Sequence, residues 1–90
     1  MNKTELISKV SEVTNLPKNT NEFIINKLFD VIMDTVASGE KVQITGFGSF
    51  EKRHRDARTG HDPRTKEEIQ IEAKDVPAFK AGKAFKDAVL

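Results

Sequence analysis

The sequence contains no cysteine, tryptophan or tyrosine, and only two of its 90 residues are histidine. The absence of cysteine excludes disulfide bonds, thiolate metal sites and cysteine nucleophiles. Two histidines are too few for a histidine-rich metal site, and no apolar run approaches the roughly 18 residues that cross a membrane. The first residues also lack the apolar segment of a signal peptide. We therefore expect a cytoplasmic protein without a metal, a cofactor or a membrane partner.

Catalysis is disfavoured by the positions of the few residues that could perform it. The only pairings of histidine with a carboxylate are His54 with Asp56 and His61 with Asp62. Both pairs lie in a segment without apolar support, so the sequence offers neither the concave site nor the desolvation that a hydrolase needs. The turn Gly46-Phe47-Gly48 is not followed by the Gly-Lys-Ser/Thr of a phosphate-binding loop. The sequence therefore predicts no catalytic residues.

The charge is nearly balanced overall, with 15 Lys and Arg against 14 Asp and Glu, but it is unevenly distributed. Every arginine lies between Arg53 and Arg64, and the segment from Lys52 to Lys66 carries six cations against two anions. Arginine is suited to bidentate contacts with phosphates and base edges. A solvated basic loop is the alternative interpretation. The confinement of every arginine to one segment favours a partner that carries phosphates.

Apolar spacing predicts two helices within residues 1–38. Asn2 and Glu5 fit a capping box at the start of the first helix, which Pro17 separates from the second. The apolar residues of the second helix cover an arc of about 200°, whereas a surface helix needs a stripe of about 100°. A short chain has few elements that can cover so wide a face, so we expect a homodimer. The side chains expected in the dimer core are Ile25, Leu28, Phe29, Ile32, Val36, Phe47, Phe50 and Phe79.

Alternating apolar residues predict short strands in the second half of the chain. Val42 and Ile44 indicate the first strand, Phe50 lies at the start of the second, and the alternation returns at Ile69 and Ile71. Between them lie a basic stretch without an apolar face and a turn at Gly60-His61-Asp62-Pro63. The sequence therefore predicts a hairpin whose distal part projects into solvent and is mobile.

The remaining residues complete a single domain. Val76-Pro77-Ala78-Phe79 is interpreted as an extended linker, and helical spacing follows it to the end of the chain. The predicted divisions of the domain 1–90 are a helical dimerisation region (1–38), a sheet and arm (40–75, with the distal arm at about 53–68), and a linker with a C-terminal helix (76–90).

Several motifs resemble, in order and spacing, those of the bacterial HU-type histone-like proteins, which are relatives of integration host factor. The matching stretches include Gly46-Phe47-Gly48-Ser49-Phe50-Glu51, the arm sequence Arg55-Asp56-Ala57-Arg58-Thr59-Gly60-His61-Asp62-Pro63-Arg64-Thr65, and Val76-Pro77-Ala78-Phe79-Lys80-Ala81-Gly82-Lys83. The resemblance covers all 90 residues and implies an α+β fold. It implies an intertwined homodimer with a helical body, a small antiparallel β-sheet and two protruding β-ribbon arms per dimer.

The same resemblance implies a nucleoid-associated protein whose arms enter the minor groove of double-stranded DNA and bend it with little sequence preference. Pro63 at the arm tip would be the intercalating wedge. The implied DNA contacts are Lys3, Gly46, Gly48, Arg53, Arg55, Arg58, Thr59, Gly60, His61, Pro63, Arg64, Thr65, Lys66, Lys80, Lys83 and Lys86.

The arm tip departs from the family pattern, and two other functions compete with the main one. The family tip usually reads Arg-Asn-Pro-x-Thr-Gly, whereas this chain has His61-Asp62-Pro63-Arg64-Thr65-Lys66. A titratable cation and an anion therefore precede the wedge, so we expect DNA affinity to rise as the pH falls from about 8 to about 6. One alternative is a sequence-preferring subunit like integration host factor, whose tip usually has a second proline where Thr59 stands. The other is an interaction module or enzyme that uses the dimer surface.

Overall fold

The computed structural model describes all 90 residues and divides the chain into two compact units, Met1–Asp34 and Thr35–Leu90. The first unit contains α1 (Lys3–Thr14) and most of α2 (Lys18–Ala37). Asn2 caps α1 as predicted, because its side-chain oxygen accepts the N–H of Glu5 at 2.9 Å. None of the helices is long and apolar enough to cross a membrane. That the chain forms one domain remains a prediction.

The turn between α1 and α2 is fixed by a buried amide that the sequence analysis did not anticipate. Asn21 is only 5% exposed. Its Nδ2 lies 3.0 Å from Ser11 Oγ, 3.1 Å from Thr14 Oγ1 and 3.4 Å from the Leu16 carbonyl oxygen. Pro17 directly precedes α2, where its missing N–H leaves no helical hydrogen bond unmade. The two helices are therefore joined in one defined geometry.

The second unit consists of five antiparallel strands and a short helix. In chain order these are β1 (Val42–Ile44), β2 (Gly48–Arg55), β3 (Arg58–His61), β4 (Glu68–Ile71), β5 (Lys74–Ala81) and α3 (Lys83–Val89). Three strands form one sheet in the order β1-β2-β5, and β3 pairs with β4 in a second, two-stranded sheet. Together with the helices, these strands confirm the predicted α+β class.

The predicted linker at Val76 to Phe79 is wrong, because these residues belong to β5. This strand pairs with β2 over its whole length, from Gly48 opposite Ala81 to Arg55 opposite Lys74. Pro77 suggested a break because proline cannot donate a backbone hydrogen bond. However, β5 lies at the edge of its sheet, where proline is tolerated. The region 76–90 therefore comprises the end of a sheet strand and a helix.

The predicted hairpin is present, but its turn and its limits differ from those expected. Gly60 lies within β3, opposite Ile69, and the turn is at residues 62–67 instead. Arg53 pairs with Val76, so a ribbon that begins at residue 53 returns at residue 76 rather than at 68. We call residues 53–76 the arm. The arm contains two ladders, the end of β2 with β5 and then β3 with β4. Residues 56–57 and residues 72–73 separate the two ladders.

A cluster of phenylalanines supports the three-stranded sheet. The ring centroids of Phe50 and Phe79 are 4.8 Å apart, and Phe47 lies 5.3 Å from both Phe79 and Phe85. Phe85 was not among the predicted core residues, although its helical spacing was visible in the sequence. Gly48 permits the close approach of β5, because a Cβ at this position would lie 2.5 Å from the Lys80 carbonyl oxygen and 2.6 Å from the Phe79 ring.

Candidate nucleic-acid interface

The pairing of β2 with β5 sorts the charges of the arm base onto two faces. Residues directly opposite one another in an antiparallel ladder share a face, and successive residues alternate. One face, which we call the basic face, carries four cations and the single anion Glu51. Its cations are Arg53, Arg55, Lys74 and Lys80. The opposite face carries Lys52, His54 and Asp75.

Glu51 holds two of the predicted DNA contacts on the basic face. Its Oε1 lies 3.2 Å from Lys80 Nζ and 3.4 Å from Arg53 Nη2. The hydrogen bond from Lys80 holds the pKa of Glu51 below its ordinary value, with partial burial opposing it and Arg53 assisting. Glu51 therefore stays ionised and orients both cations. It would also compete with the phosphates of a bound partner for them.

The other cations of the arm and of α3 are exposed and make no ion pair, apart from a long contact between Arg64 Nε and Asp62 Oδ1 at 3.9 Å. Such side chains can contact phosphates without first breaking a protein contact. Lys74 is the one missed by the sequence analysis. Because residues 76–79 were interpreted as a linker, Lys74 and Lys80 were not expected to lie in one strand. They are six residues apart in β5 and therefore share a face. The unpaired cations are Arg55, Arg58, Lys66, Lys74, Lys83 and Lys86.

Lys52 counts toward the basic segment of the sequence but has a structural role. Its Nζ donates to the carbonyl oxygen of Ala37 at 3.1 Å, at the end of α2, and lies 3.7 Å from Asp75 Oδ2. Because the last carbonyls of a helix lack intrahelical donors, this contact satisfies one of them. Lys52 is therefore less available for a phosphate contact than the unpaired cations of the arm.

The arm tip is a hydrogen-bonded turn that presents Pro63 to solvent. Asp62 Oδ1 accepts the N–H of Arg64 at 2.8 Å, and the Asp62 carbonyl oxygen accepts the N–H of Lys66 at 2.7 Å. The Asp62 carboxylate is therefore bonded within the turn. Thr65 Oγ1 accepts the N–H of Glu67 at 3.3 Å. These bonds fix the backbone on both sides of the proline ring.

The distal ribbon has an apolar patch, which contradicts the prediction that this part of the arm lacks an apolar face. Ile69 and Ile71 lie on the same face of β4, above Gly60 and Arg58 of β3. A Cβ on Gly60 would lie 3.0 Å from Ile71 Cδ1 and 3.6 Å from Ile69 Cγ1. Gly60 therefore leaves space for the two isoleucines. Thr59 and His61 lie on the other face of the ribbon.

Four of the predicted contacts outside the arm converge at an open concavity of about 270 Å³. The concavity is lined by Gly46, Gly48, Lys80 and Lys83, together with Ser49 and neighbouring residues. Gly46 has a φ of 84° and forms the turn before β2. Lys86 lies in the last turn of α3. The lining combines two lysines with small and polar residues, a suitable arrangement for a phosphate.

Lys3 is the one predicted contact within the first unit. Its Nζ lies 5.9 Å from the centroid of the Phe29 ring, which is within the range of a cation–π contact. The ammonium group therefore covers part of a side chain that was predicted to lie in the dimer core.

Comparison with known proteins agrees with this geometry. The family model described as bacterial DNA-binding protein matches residues 1–90. The chain belongs to this family. Membership confirms the resemblance identified from the arm and sheet motifs. No group of three or more His, Asp or Glu residues in this family member could hold a metal ion.

Relatives from several bacteria cover nearly the whole chain. DNA-binding protein HU 1 of Bacillus subtilis is 53% identical over 89 residues, which are 99% of this chain and 97% of the relative. DNA-binding protein HU of Staphylococcus aureus is also 53% identical over 89 residues, with 99% of both chains covered. Both relatives belong with this chain to one family of small DNA-binding proteins.

Solved structures of related proteins share the fold. The Anabaena HU–DNA cocrystal structure superposes with a TM-score of 0.92 at 44% identity, covering 99% of this chain and 97% of that one. HU from Thermotoga maritima has a TM-score of 0.71 at 34% identity, with both chains fully covered. These similarities confirm the predicted arrangement of helices, antiparallel strands and arm in this family member.

Proposed function

We propose that this protein is an architectural DNA-binding protein that acts as a homodimer, binds duplex DNA with little sequence preference, and bends it. One observation carries the proposal. Unpaired cations extend along the arm, and the concavity is lined by unpaired Lys83 and by Lys80, which Glu51 orients; the anions of the arm base are paired or lie on the opposite face. The similarity to a chain solved in complex with DNA supports it. Such a protein would act in the bacterial nucleoid.

The dimer is supported by how little of the chain's apolar surface is buried. Ile7 and Val36 are its only buried hydrophobic residues, whereas Leu28 is 51% and Met33 is 60% exposed. Fully burying one such side chain stabilises a protein by about 1.5–3 kcal/mol, so a monomer would forgo most of its hydrophobic stabilisation. A second copy of the same chain would cover this surface without any additional polypeptide. Val36 is already buried within its own chain, unlike the other residues proposed for the dimer core.

Phe29 provides the test of the dimer. It is 38% exposed in the single chain and would be enclosed between two copies. Phe29→Asp would bury an unpaired charge there, so we expect it to abolish the folded dimer. Sedimentation equilibrium with circular dichroism measures both association and folding. A folded wild-type monomer at micromolar concentration would contradict the proposal.

Each arm is proposed to contact DNA in two ways. The cations of the basic face and of the distal ribbon contact phosphates, which carry no sequence information. Pro63 has a rigid apolar ring and no N–H, and such a ring can wedge between base pairs and kink the duplex toward the major groove. The proposed contacts are those named from the resemblance, with Lys74 added. The relatives described above give no support to a sequence-preferring function.

A salt series tests the function as a whole. If roughly six to eight phosphates are neutralised per dimer, the logarithm of the affinity should fall against the logarithm of salt concentration with a slope of about −5 to −7. The assay is fluorescence anisotropy on duplexes of random and of mixed sequence. Affinities should be similar across sequences. Binding that is insensitive to salt, or confined to one sequence, would refute the proposal.

A pair of charge variants shows whether the arm is responsible. Arg58→Gln removes an unpaired cation of the distal ribbon and should make the slope shallower by about one unit for each phosphate that the variant no longer neutralises. Lys9→Gln is the matched control, because Lys9 is an exposed cation on α1 that pairs with Glu12 at 3.6 Å. Equal effects of the two substitutions would show that only net charge matters.

A further inference from the structure

A histidine lies between two carboxylates where the first ladder of the arm ends. His54 Nδ1 is 2.8 Å from Asp75 Oδ1, and Nε2 of the same ring is 3.2 Å from Asp56 Oδ1. Asp75 is directly opposite His54 on β5, whereas Asp56 follows the last residue of β2. The remaining charged group on this face is Lys52, which contacts Asp75 at 3.7 Å. Arg55 and Lys74 lie on the other face.

The hydrogen bond to Asp75 and the ion pair with Asp56 are both favourable only when the ring is doubly protonated. A neutral imidazole has one N–H, so it can donate to one carboxylate, and its other nitrogen then turns a lone pair toward the second. Only the imidazolium has two donors. The hydrogen bond to Asp75, together with the attraction of both carboxylates, raises the pKa of His54 above its ordinary value, although partial burial opposes this. The pKa of Asp75 is lowered, chiefly by the bond from His54.

We propose that His54, Asp56 and Asp75 form a proton-operated clamp at the base of each arm. In the protonated state the ring joins β5 to the residue that follows β2, so the clamp reaches the interruption between the two ladders. In the deprotonated state the ring keeps its bond to Asp75 and releases Asp56. The junction between the two parts of the arm is therefore better held when His54 is charged.

The direction of the pH effect follows from the shifted pKa. Because the pKa of His54 is raised by folding, its contribution to stability is complete below the unfolded value of about 6.5 and is lost as the pH rises through the folded value. Asp75 stays ionised throughout this range, since its pKa is lowered. The clamp therefore opens as the pH rises through the folded-state pKa of His54, which lies above the ordinary value.

The consequence for DNA binding rests on the proposed function. With a neutral His54, the cluster of Lys52, His54, Asp56 and Asp75 has a net charge of −1, and protonation brings it to zero. DNA therefore favours the closed clamp. One unit charge on the order of 10 Å from a phosphate in water changes affinity about twofold, which gives about fourfold for two arms. Affinity should decrease by this factor as the clamp opens.

The clamp is tested first without DNA, by nuclear magnetic resonance titration of the imidazole C–H signals. The chain has two histidines. In His61→Asn only the His54 signal remains, so this variant is the matched control. We expect a His54 midpoint above the ordinary value, lower in Asp56→Asn, and lowest in Asp75→Asn. Asp56 is 94% exposed, so its substitution should leave the fold intact. A His54 midpoint in Asp56→Asn equal to that of the wild type would overturn the clamp.

A second measurement connects the clamp to DNA and separates it from the arm tip. Anisotropy titrations at fixed salt between pH 6 and 8.5 should show the fourfold decrease for the wild type and for His61→Asn. The decrease should be absent when His54→Gln is combined with His61→Asn, which removes the other histidine. A decrease that persists in this double variant would overturn the link between clamp and affinity. Loss of salt-sensitive binding in every variant would instead refute the proposed function. The clamp would still stand or fall by the titration of His54 without DNA, which does not depend on that function.

Discussion

Gly48 is the position where one added carbon should have the largest effect on this fold. In Gly48→Ala, the new Cβ would lie 2.5 Å from the Lys80 carbonyl oxygen and 2.6 Å from two atoms of the Phe79 ring. Ordinary van der Waals contact needs more than 3.4 Å. The carbonyl belongs to the β2–β5 ladder and the ring to the phenylalanine cluster, so neither can move away freely. Overpacking of this kind costs about 1–3 kcal/mol.

The assay is thermal unfolding at equal protomer concentration, because the stability of a dimer depends on concentration. For a domain of this size, about 2 kcal/mol corresponds to a decrease in Tm of roughly 8–16 °C. Gly60→Ala is the control. Its nearest contact is the terminal Cδ1 of Ile71 at 3.0 Å, which can rotate away, and alanine is favoured over glycine within a strand by about 0.5–1 kcal/mol. We therefore expect little change or a small gain. Equal Tm values for Gly48→Ala and the wild type would refute the steric reasoning.

Three further predictions concern DNA binding. Lys74→Gln should weaken binding and make the salt slope shallower by about as much as Arg55→Gln does, because the two residues face each other; an unchanged slope would remove Lys74 from the interface. Pro63→Ala should reduce DNA bending more than affinity, since the phosphate contacts remain; equal bending in an energy-transfer assay would contradict the wedge. Glu51→Gln should raise affinity and steepen the salt slope, because Lys80 and Arg53 are freed for phosphates; weaker binding would instead mean that orientation by Glu51 matters more than competition.

The features predicted correctly from the sequence depend on local interactions. The start of α1 follows from Asn2 and Glu5, which are three residues apart, and the hairpin follows from alternation and turn residues. The errors arise where pairing partners are distant in sequence. Pro77 indicates a break when considered alone, and only its place in an edge strand opposite Lys52 makes it compatible with a sheet. The same error concealed Lys74.

The composition of the candidate site was largely predictable, but its division into faces was not. The clustering of arginines is visible in the sequence, as is the family motif that identifies Pro63 as the tip. Whether a cation lies beside Glu51 or beside Asp75 depends on the register of β2 against β5. His54 and Asp75 are 21 residues apart, so nothing in the local sequence indicates that they meet.

The two isoleucines of the distal ribbon add a temperature dependence to a binding reaction that is otherwise dominated by ion release. Ile69 is 45% exposed and shares a face with Ile71 and Arg58. If this face is covered when the arm enters a groove, water leaves an apolar surface, and the heat capacity change of binding becomes negative. Raising the salt concentration removes the electrostatic part of the affinity but leaves the contribution of the buried apolar surface. Calorimetry at several temperatures in high salt should therefore show a binding enthalpy that becomes more favourable on warming, and Ile69→Thr should reduce that slope.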